Sequence, residues 1–371
     1  MGKRLRVLLL FGGRSGEHEV SLQSAASVLN ALDKNKYEVV TVGITKEGHW
    51  LAGITPAEVL EKGFGHSSYP VVLQPDPTRT GLLSLDRGKG GKGLEETIHV
   101  VFPVLHGTYG EDGCVQGLLE LAGLPYVGSG VLGSALAMDK LLMKTVFARH
   151  GFPQARFTGL LRREWQQVPG KVISRLEEEI GYPCFVKPAN LGSSVGISKA
   201  NNRKELERAL TEAALYDRKI IVEENIEGRE IELSILGNDV PEVSVPGEII
   251  PSNEFYDYEA KYLSDSSKLV IPADLPSPVV ARLQELAAEA FLALDCAGMV
   301  RADFFVRQSD NQVLINEVNT IPGFTRISMY PKLWEASGLK YPDLLDRLIQ
   351  LALERYQEKE CNLYTYHKLG N

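Results

Sequence analysis

The chain has 371 residues, 44% of them hydrophobic and 24% charged, and its formal net charge is -8. That length exceeds one ordinary core, so two or three domains are expected. The acidic balance argues against a general nucleic-acid binder, and no segment approaches the length of a membrane span. The cysteines are scattered with no CxxC pair, which predicts no structural zinc and a cytoplasmic location.

The first third of the chain alternates predicted strands and helices. Buried-strand patterns occupy 6–11, 37–44 and 98–105, and helical spacing occupies 19–32 and 113–122. This alternation predicts a parallel sheet covered by helices. A stretch rich in Pro, Gly and Lys at 76–95 predicts a surface insertion.

The middle and last thirds continue the mixed pattern. Helices are predicted at 138–150, 174–180, 202–215, 276–294 and 341–358, and strands at 184–187, 219–223, 230–236 and 241–245. A long irregular segment, 246–272, carries four aromatic residues between 255 and 262. Such a segment inside a compact domain is typical of a lid that excludes water from a site.

Residues 299–324 predict an antiparallel hairpin around the turn 309–311. Side chains alternate across a strand, so Arg301 shares a face with Asp303, and Glu317 with Asn319. Oxygen ligands beside a cation suit Mg²⁺ carrying a polyphosphate. The alternative is an amphipathic hairpin with one wet face.

Two lysines are candidate phosphate contacts. Lys187 ends a predicted strand before a small-residue loop whose N–H groups, with the hydroxyls of Ser193 and Ser194, can surround phosphate oxygens. The alternative is a tight hairpin turn. Lys140 opens a helix and is either a second phosphate contact or a solvated lysine.

Carboxylates mark two further candidate positions. Glu223, Glu224 and Glu230 lie where a strand passes into a linker, which can offer contacts to an adenine edge and a ribose, although surface acids often bind nothing. Glu17 stands at a strand-to-helix junction, where it either caps the helix or binds a substrate ammonium. His106 follows another strand of the same sheet and is either a substrate contact or a structural hydrogen-bonding residue.

Seven motifs occur in order along nearly the whole chain. They are GGRSGEHEVS (12–21), HGTYGEDG (106–113), MDK (138–140), KPANLGSSVGI (187–197), FYDYEAKYLSD (255–265), RADFF (301–305) and NEVNTIPGFT (316–325). Together they resemble the D-alanine–D-alanine ligase family of the ATP-grasp superfamily. The resemblance implies a three-domain α/β ATP-grasp fold, with ATP between the last two domains, and a homodimer. The implied domains are an open parallel-sheet domain at 1–128, a central domain at 129–226, and a C-terminal domain at 227–371 with the metal site and the lid 246–272.

The resemblance also implies residue roles. Lys140, Lys187, Ser194 and Lys261 would bind ATP, with Glu223, Glu224 and Glu230 by the adenine and ribose. Asp303, Glu317 and Asn319 would hold two Mg²⁺ ions, for which Mn²⁺ can substitute. Glu17 would bind the first D-alanine's ammonium in a network with Ser193 and Tyr262, with His106 nearby, and Ser328 would meet the second carboxylate. Arg301 and the N–H of Gly323 would stabilise an oxyanion.

The implied reaction joins two D-alanines through an acyl phosphate for peptidoglycan precursor synthesis. The base for the attacking amine is either Tyr262, acting through Ser193, or the phosphate itself. A D-alanine–D-lactate ligase is the nearest rival, and Tyr262 argues for an amine as second substrate. A glutathione-synthetase-like ligase and a nucleotide sensor without turnover are further alternatives.

Overall fold

The computed structural model describes residues 4–65, 68–85, 97–192, 195–250 and 268–363. These residues form three β-sheets, each built from one consecutive stretch of chain, so the predicted α/β fold is confirmed. No helix in the described ranges is long and apolar enough to cross a membrane. Residues 86–95 of the predicted insertion and 251–267 of the predicted lid lie outside the described residues. The domain boundaries at 128 and 226 stay predictions.

The first sheet has six strands in the order β5-β4-β3-β2-β1-β6. They are β1 (Leu5–Gly12), β2 (Tyr37–Ile44), β3 (Trp50–Ala52), β4 (Tyr69–Leu73), β5 (Leu82–Ser84) and β6 (Val100–Val104). The helices of this part are α1 (His18–Ala31), α2 (Pro56–Lys62) and α3 (Cys114–Leu121). β1 pairs in parallel with β2 and β6, as predicted.

The prediction of a wholly parallel first sheet is wrong for β3, β4 and β5, which pair antiparallel. These strands contain three to five residues each, too few for a clear alternation of polar and apolar side chains.

The second sheet is antiparallel, with the order β7-β10-β8-β9. Its strands are β7 (Phe157–Leu161), β8 (Cys184–Pro188), β9 (Ser198–Ala200) and β10 (Lys219–Glu224). The helices of this stretch are α4 (Val131–Met138), α5 (Lys140–His150), α6 (Arg162–Gln167), α7 (Pro169–Glu179) and α8 (Arg203–Tyr216). The extended residue Asp139 separates α4 from α5 and caps α5 by accepting the N–H of Leu142 at 3.1 Å. Lys140 therefore begins a helix, as predicted.

The third sheet has the order β14-β13-β11-β15-β16, with β12 paired to β11. Its strands are β11 (Gly228–Gly237), β12 (Glu242–Val243), β13 (Gly247–Ile250), β14 (Lys268–Val270), β15 (Gly298–Arg307) and β16 (Val313–Asn319). The helices of this part are α9 (Ser277–Ala293), α10 (Met329–Ala336) and α11 (Tyr341–Lys359). β15 and β16 form the predicted hairpin. The prediction of an irregular segment at 246–272 is wrong at its two described ends, because β13 and β14 pair there as antiparallel strands.

The largest apolar core joins the two ends of the chain. It contains Val7 and Phe102 from the first sheet together with Leu344 and Leu348 from α11, all completely buried. Phe324, which follows β16, lies in the same core. The first sheet is thus held against the C-terminal part, which places their functional side chains around common cavities.

Candidate active site

The hairpin of β15 and β16 presents one polar face and one apolar face. Arg301 lies opposite Asn319, and Asp303 lies opposite Glu317. The other face carries Phe304, Val306 and Val318, all buried. The predicted division of the hairpin into two faces is confirmed.

A carboxylate from the neighbouring strand extends this polar face. Glu232 on β11 lies opposite Asp303, and its Oε2 is 3.2 Å from Nε of Arg301. Arg301 also donates two hydrogen bonds of 2.7 Å to the Asp303 carboxylate. The guanidinium is therefore held between acids on two strands, with its fork matched to Asp303.

A cavity of about 110 Å³, here called the small cavity, opens on this polar face. It brings together seven residues predicted from the sequence: Glu17, Lys140, Arg301, Glu317, Asn319, Gly323 and Ser328. These residues come from all three parts of the chain. The small cavity combines cations, acids and a helix terminus, as the binding of zwitterionic molecules requires.

A second cavity of about 370 Å³, here called the large cavity, adjoins the first because Glu232 and Glu317 line both. It contains the other described residues predicted to bind nucleotide or metal: Lys187, Glu223, Glu224, Glu230 and Asp303. Phe185, Ile197 and Ile231 add apolar surface. A cavity of this size, with an apolar wall and a lysine, suits a nucleotide better than the small cavity does.

Glu17 stands at the N-cap position of α1, yet its side chain makes no capping hydrogen bond. The side chain is buried against two glycines, because a Cβ on Gly107 or Gly192 would lie 2.6 or 2.5 Å from Glu17 Oε2. Helix capping therefore does not explain the position of this carboxylate. A side chain at either position would force the Glu17 carboxylate to move from its place at the small cavity.

A second buried acid, Glu111, lines the small cavity beside Glu17. Burial, followed by the negative charge of Glu17, raises the pKa of Glu111 to about 8. Its Oε1 accepts the N–H of Gly107 at 2.8 Å. At neutral pH Glu111 therefore retains its proton, which reduces the repulsion between the two carboxyl groups.

His106 is buried, and hydrogen bonds engage both of its ring nitrogens. Nδ1 lies 2.9 Å from the carbonyl oxygen of Ile321, and Nε2 lies 3.2 Å from Oγ of Ser24. Burial lowers the pKa of His106, which favours the neutral ring. Ser24 also accepts the N–H of Phe324 at 3.1 Å. His106 does not line the small cavity, so the geometry favours a structural role in holding the loop around Gly323.

Ser328 is the N-cap residue of α10, and the start of this helix lines the small cavity. Oγ of Ser328 accepts the N–H of Thr325 at 3.0 Å, and a Cβ on Gly323 would lie 2.6 Å from the same oxygen. Only glycine at 323 leaves this approach open. The positive end of the helix dipole favours an anion such as a carboxylate here.

Lys140 connects α5 to the hairpin. Its Nζ donates to the carbonyl oxygen of Leu191 at 3.2 Å and lies 3.2 Å from Oε2 of Glu317. Burial opposes its charge, but Glu317, joined by Glu223 and Glu111, outweighs burial and the pKa of Lys140 is raised. Asp139, the cap of α5, pairs with Lys219 on β10, which fixes the start of the helix. Lys140 therefore reaches the wall of the small cavity as a charged group.

Glu223 lies between two lysines. Its Oε2 accepts from Lys187 Nζ at 2.7 Å, and its Oε1 is 3.5 Å from Nζ of Lys144. Glu224, the next residue, faces Arg156 instead and accepts from its Nε at 2.7 Å and from its backbone N–H at 2.8 Å. The Glu224 carboxylate is thus occupied by Arg156, which leaves the main chain for any contact with a base.

Two carboxylates and one amide form the predicted metal site: Asp303, Glu317 and Asn319. Among the described residues, no group of three or more His, Cys, Asp or Glu side chains is arranged to hold a metal ion. The candidate set relies on an amide oxygen as its third protein ligand. Oxygen donors of this kind fit Mg²⁺, which usually completes its coordination with water and substrate phosphates.

Two family models together match most of the chain. The model described as D-ala D-ala ligase N-terminus matches residues 6–129, and the model described as D-ala D-ala ligase C-terminus matches residues 146–350. This chain belongs to the D-alanine–D-alanine ligase family.

Relatives and solved structures agree with this membership. A D-alanine–D-alanine ligase of Natranaerobius thermophilus is 56% identical over 97% of this chain and 98% of its own length. One of Heliobacterium modesticaldum is 51% identical over 96% of each chain. The structure of the D-alanine-D-alanine ligase from Coxiella burnetii has a TM-score of 0.82 at 39% identity and covers 97% of each chain. That of the VanG D-Ala:D-Ser ligase from Enterococcus faecalis has a TM-score of 0.84 at 36% identity, covering 94% of this chain and 100% of that one.

Four residues predicted from the family resemblance, Ser193, Ser194, Lys261 and Tyr262, lie outside the described residues. Three further residues in or beside the site were not predicted, although the sequence held a pattern that could have identified each of them. Lys144 follows Lys140 by one helical turn, which places both on one face of α5. Glu232 follows Glu230 by two positions on a strand, and Glu111 lies within the quoted 106–113 motif.

Proposed function

We propose that this chain joins two D-alanine molecules, at the expense of ATP, into D-alanyl-D-alanine for peptidoglycan precursor synthesis. The observation that carries the proposal is the meeting of the two cavities at Glu317, between Lys140 and Asp303. A carboxylate in the small cavity and a phosphate tail from the large cavity would meet there. The names of the relatives at 50% identity or more support the same reaction.

Each substrate end has a complementary group. Glu17 binds the ammonium of the first D-alanine, and the N-terminus of α10 at Ser328 binds the carboxylate of the second. Lys140 and Lys187 bind phosphate oxygens of ATP. Glu223 and Glu230 lie by the adenine and ribose, and Ser194 and Lys261 complete the nucleotide contacts.

The first step activates the carboxylate. One of its oxygens attacks the γ-phosphorus of ATP, the bond from that phosphorus to the bridging oxygen breaks, and ADP leaves as an acyl phosphate forms. The lysines neutralise the charge that develops on the transferred group.

The second step forms the peptide bond. The amine of the second D-alanine attacks the acyl carbon, and Arg301 with the N–H of Gly323 stabilises the oxyanion. The carbon–oxygen bond to phosphate then breaks and inorganic phosphate leaves. The amine proton passes to Tyr262 through Ser193, or to the phosphate.

Asp303, Glu317 and Asn319 would hold two Mg²⁺ ions, for which Mn²⁺ can substitute. When bound, the ions neutralise phosphate charge and orient the phosphate tail. The hard oxygen donors on one face of the hairpin support this part of the proposal. We further propose that the protein is cytoplasmic and forms a homodimer, and that its domains divide at residues 128 and 226.

The second substrate separates this function from its nearest alternatives. The likeness to the D-Ala:D-Ser ligase suggests D-serine as an alternative second substrate. A D-lactate acceptor is the other alternative and would give an ester instead of a peptide. ADP release should be measured at neutral pH with D-alanine alone and with added D-serine or D-lactate, and the products identified by mass. We expect D-alanyl-D-alanine as the main product in all three mixtures. A predominant D-serine dipeptide or D-lactate ester would refute the assignment.

The same assay addresses a nucleotide sensor without turnover. A sensor would bind ATP and release no ADP with any D-amino acid. We expect ADP release that depends on D-alanine.

A further inference from the structure

Lys144 is a buried lysine that does not line either cavity. It lies one helical turn after Lys140 on α5, its residue is only 1% exposed, and its Nζ is 3.5 Å from Oε1 of Glu223. Lys187 contacts the other oxygen of the same carboxylate at 2.7 Å and does line the large cavity. One carboxylate is therefore shared between an inaccessible lysine and a lysine that a ligand can reach.

The Glu223 carboxylate is ionised in this arrangement. Burial acts to raise its pKa, but Lys144 and then Lys187 outweigh burial, and the pKa of Glu223 is lowered. Burial lowers the pKa of Lys144, while Glu223 acts to raise it. A buried carboxylate that loses every counterion is strongly destabilised. Any movement of Lys187 away from Glu223 thus requires that Lys144 stay.

We propose that Lys144 is a positioning residue that keeps Glu223 paired when Lys187 moves from this carboxylate to the phosphates of ATP. The inference rests on the proposed function, which assigns Lys187 to phosphate. Lys144 cannot follow Lys187, because α5 holds it in the interior and it has no access to the large cavity. Because the charge of Lys144 continues to neutralise Glu223, Lys187 can exchange partners at a small cost in free energy.

This role predicts a specific consequence for a neutral side chain at 144. Without the charge at 144, Glu223 depends on Lys187 as its counterion. ATP must then compete with the Glu223 carboxylate for Lys187. Nucleotide binding weakens, whereas the chemical step, once ATP is bound, involves groups that Lys144 does not contact.

The test compares four proteins: wild type, Lys144→Met, Glu223→Gln and the double variant. ATP affinity is measured by calorimetry without D-alanine, and KM for ATP and kcat are measured in the ADP-release assay. We expect Lys144→Met to weaken ATP binding about tenfold and to change kcat less than about threefold. In the Glu223→Gln background, the same substitution should change ATP affinity by less than about threefold, because no carboxylate is left to retain Lys187.

Lys171→Met, which removes an exposed lysine from α7, is the matched control and should leave ATP affinity unchanged. Lys144→Gln carries the same expectation as Lys144→Met and replaces it if the methionine variant does not fold. Thermal unfolding separates a folded variant with weak ATP binding from an unstable one. An equal loss of ATP affinity in both Glu223 backgrounds, or no loss in either, would overturn the proposal.

Failure of the ligase function would give a different result. If the wild type binds ATP but releases no ADP with D-alanine, the ligase assignment fails while the comparison of ATP affinities remains valid. If the wild type ligates D-alanine and Lys144→Met binds ATP normally, the inference alone fails.

Discussion

Glu317 is one of the residues at which the small and large cavities meet, and Lys140 is paired with it at 3.2 Å. The face of the hairpin on which the Glu317 side chain lies was predictable, because the alternation along β16 fixes which side chains share a face. The partner Lys140 comes from another element, and local alternation carries no information about such an approach. The metal role of Glu317 stays a prediction.

We predict that Glu317→Gln will preserve the fold and lower turnover by several orders of magnitude, because the amide removes the charge needed by Lys140 and the metal ions. Steady-state ADP release measures the turnover, and the midpoint of thermal unfolding measures whether the fold is preserved. Glu335→Gln, at an exposed position on α10, is the control. Wild-type turnover in Glu317→Gln would remove this residue from the metal site.

Glu111 gives a prediction about pH. Its folded-state pKa of about 8 lies above the ordinary 4.5, so the folded protein retains a proton that the unfolded chain releases between these values. Stability contributed by this group therefore falls as pH rises through that window. Glu111→Gln cannot ionise. The difference in thermal unfolding midpoint, variant minus wild type, should therefore be larger at pH 8 than at pH 5. An equal difference at both pH values would show that Glu111 does not retain its proton.

At the scale of elements, long and strongly patterned segments were predicted well. β1, α1 and β10 lie within one residue of their predicted bounds. The hairpin begins one residue before its predicted start, but it ends at Asn319, five residues before the predicted end at 324. The start of α7 at Pro169, five residues before its predicted start, was missed because the apolar spacing begins only at Val172. The short strands β3 to β5 were missed because their position depends on pairing with β2 and with one another, which a local pattern does not encode.

The loop after β8 gives a prediction at this scale. Asp217, which follows α8, accepts from the N–H and the side-chain amide of Asn190 at 2.9 and 3.0 Å and so fixes the start of the 190–196 loop. We predict that Asp217→Ala will raise KM for ATP several-fold with a small effect on kcat, because Asn190 loses the contacts that position the start of this phosphate-binding loop. Steady-state kinetics with varied ATP measure both constants, and Asp239→Ala at an exposed position is the control. An unchanged KM would show that the loop does not contact the phosphates.

At the scale of the whole molecule, the two ends of the chain determine the active-site geometry. α11 packs its buried leucines on the first sheet, and Oγ of Ser27 lies 3.2 Å from the hydroxyl of Tyr341. Glu17 from the start of the chain thereby faces Arg301 and Ser328 across the small cavity. Contacts over such sequence separations are invisible to local periodicity. The ordered series of motifs indicated the arrangement, through the family resemblance.

In the proposed reaction, ATP activates the carboxylate of the first D-alanine as an acyl phosphate. D-alanine labelled with ¹⁸O in its carboxylate should be converted to the dipeptide, and the released phosphate and nucleotide examined by mass spectrometry. We expect one ¹⁸O atom in inorganic phosphate for each D-alanyl-D-alanine formed, because the attacking oxygen leaves with phosphorus. Dipeptide formation with unlabelled phosphate, or with the label in AMP, would contradict it.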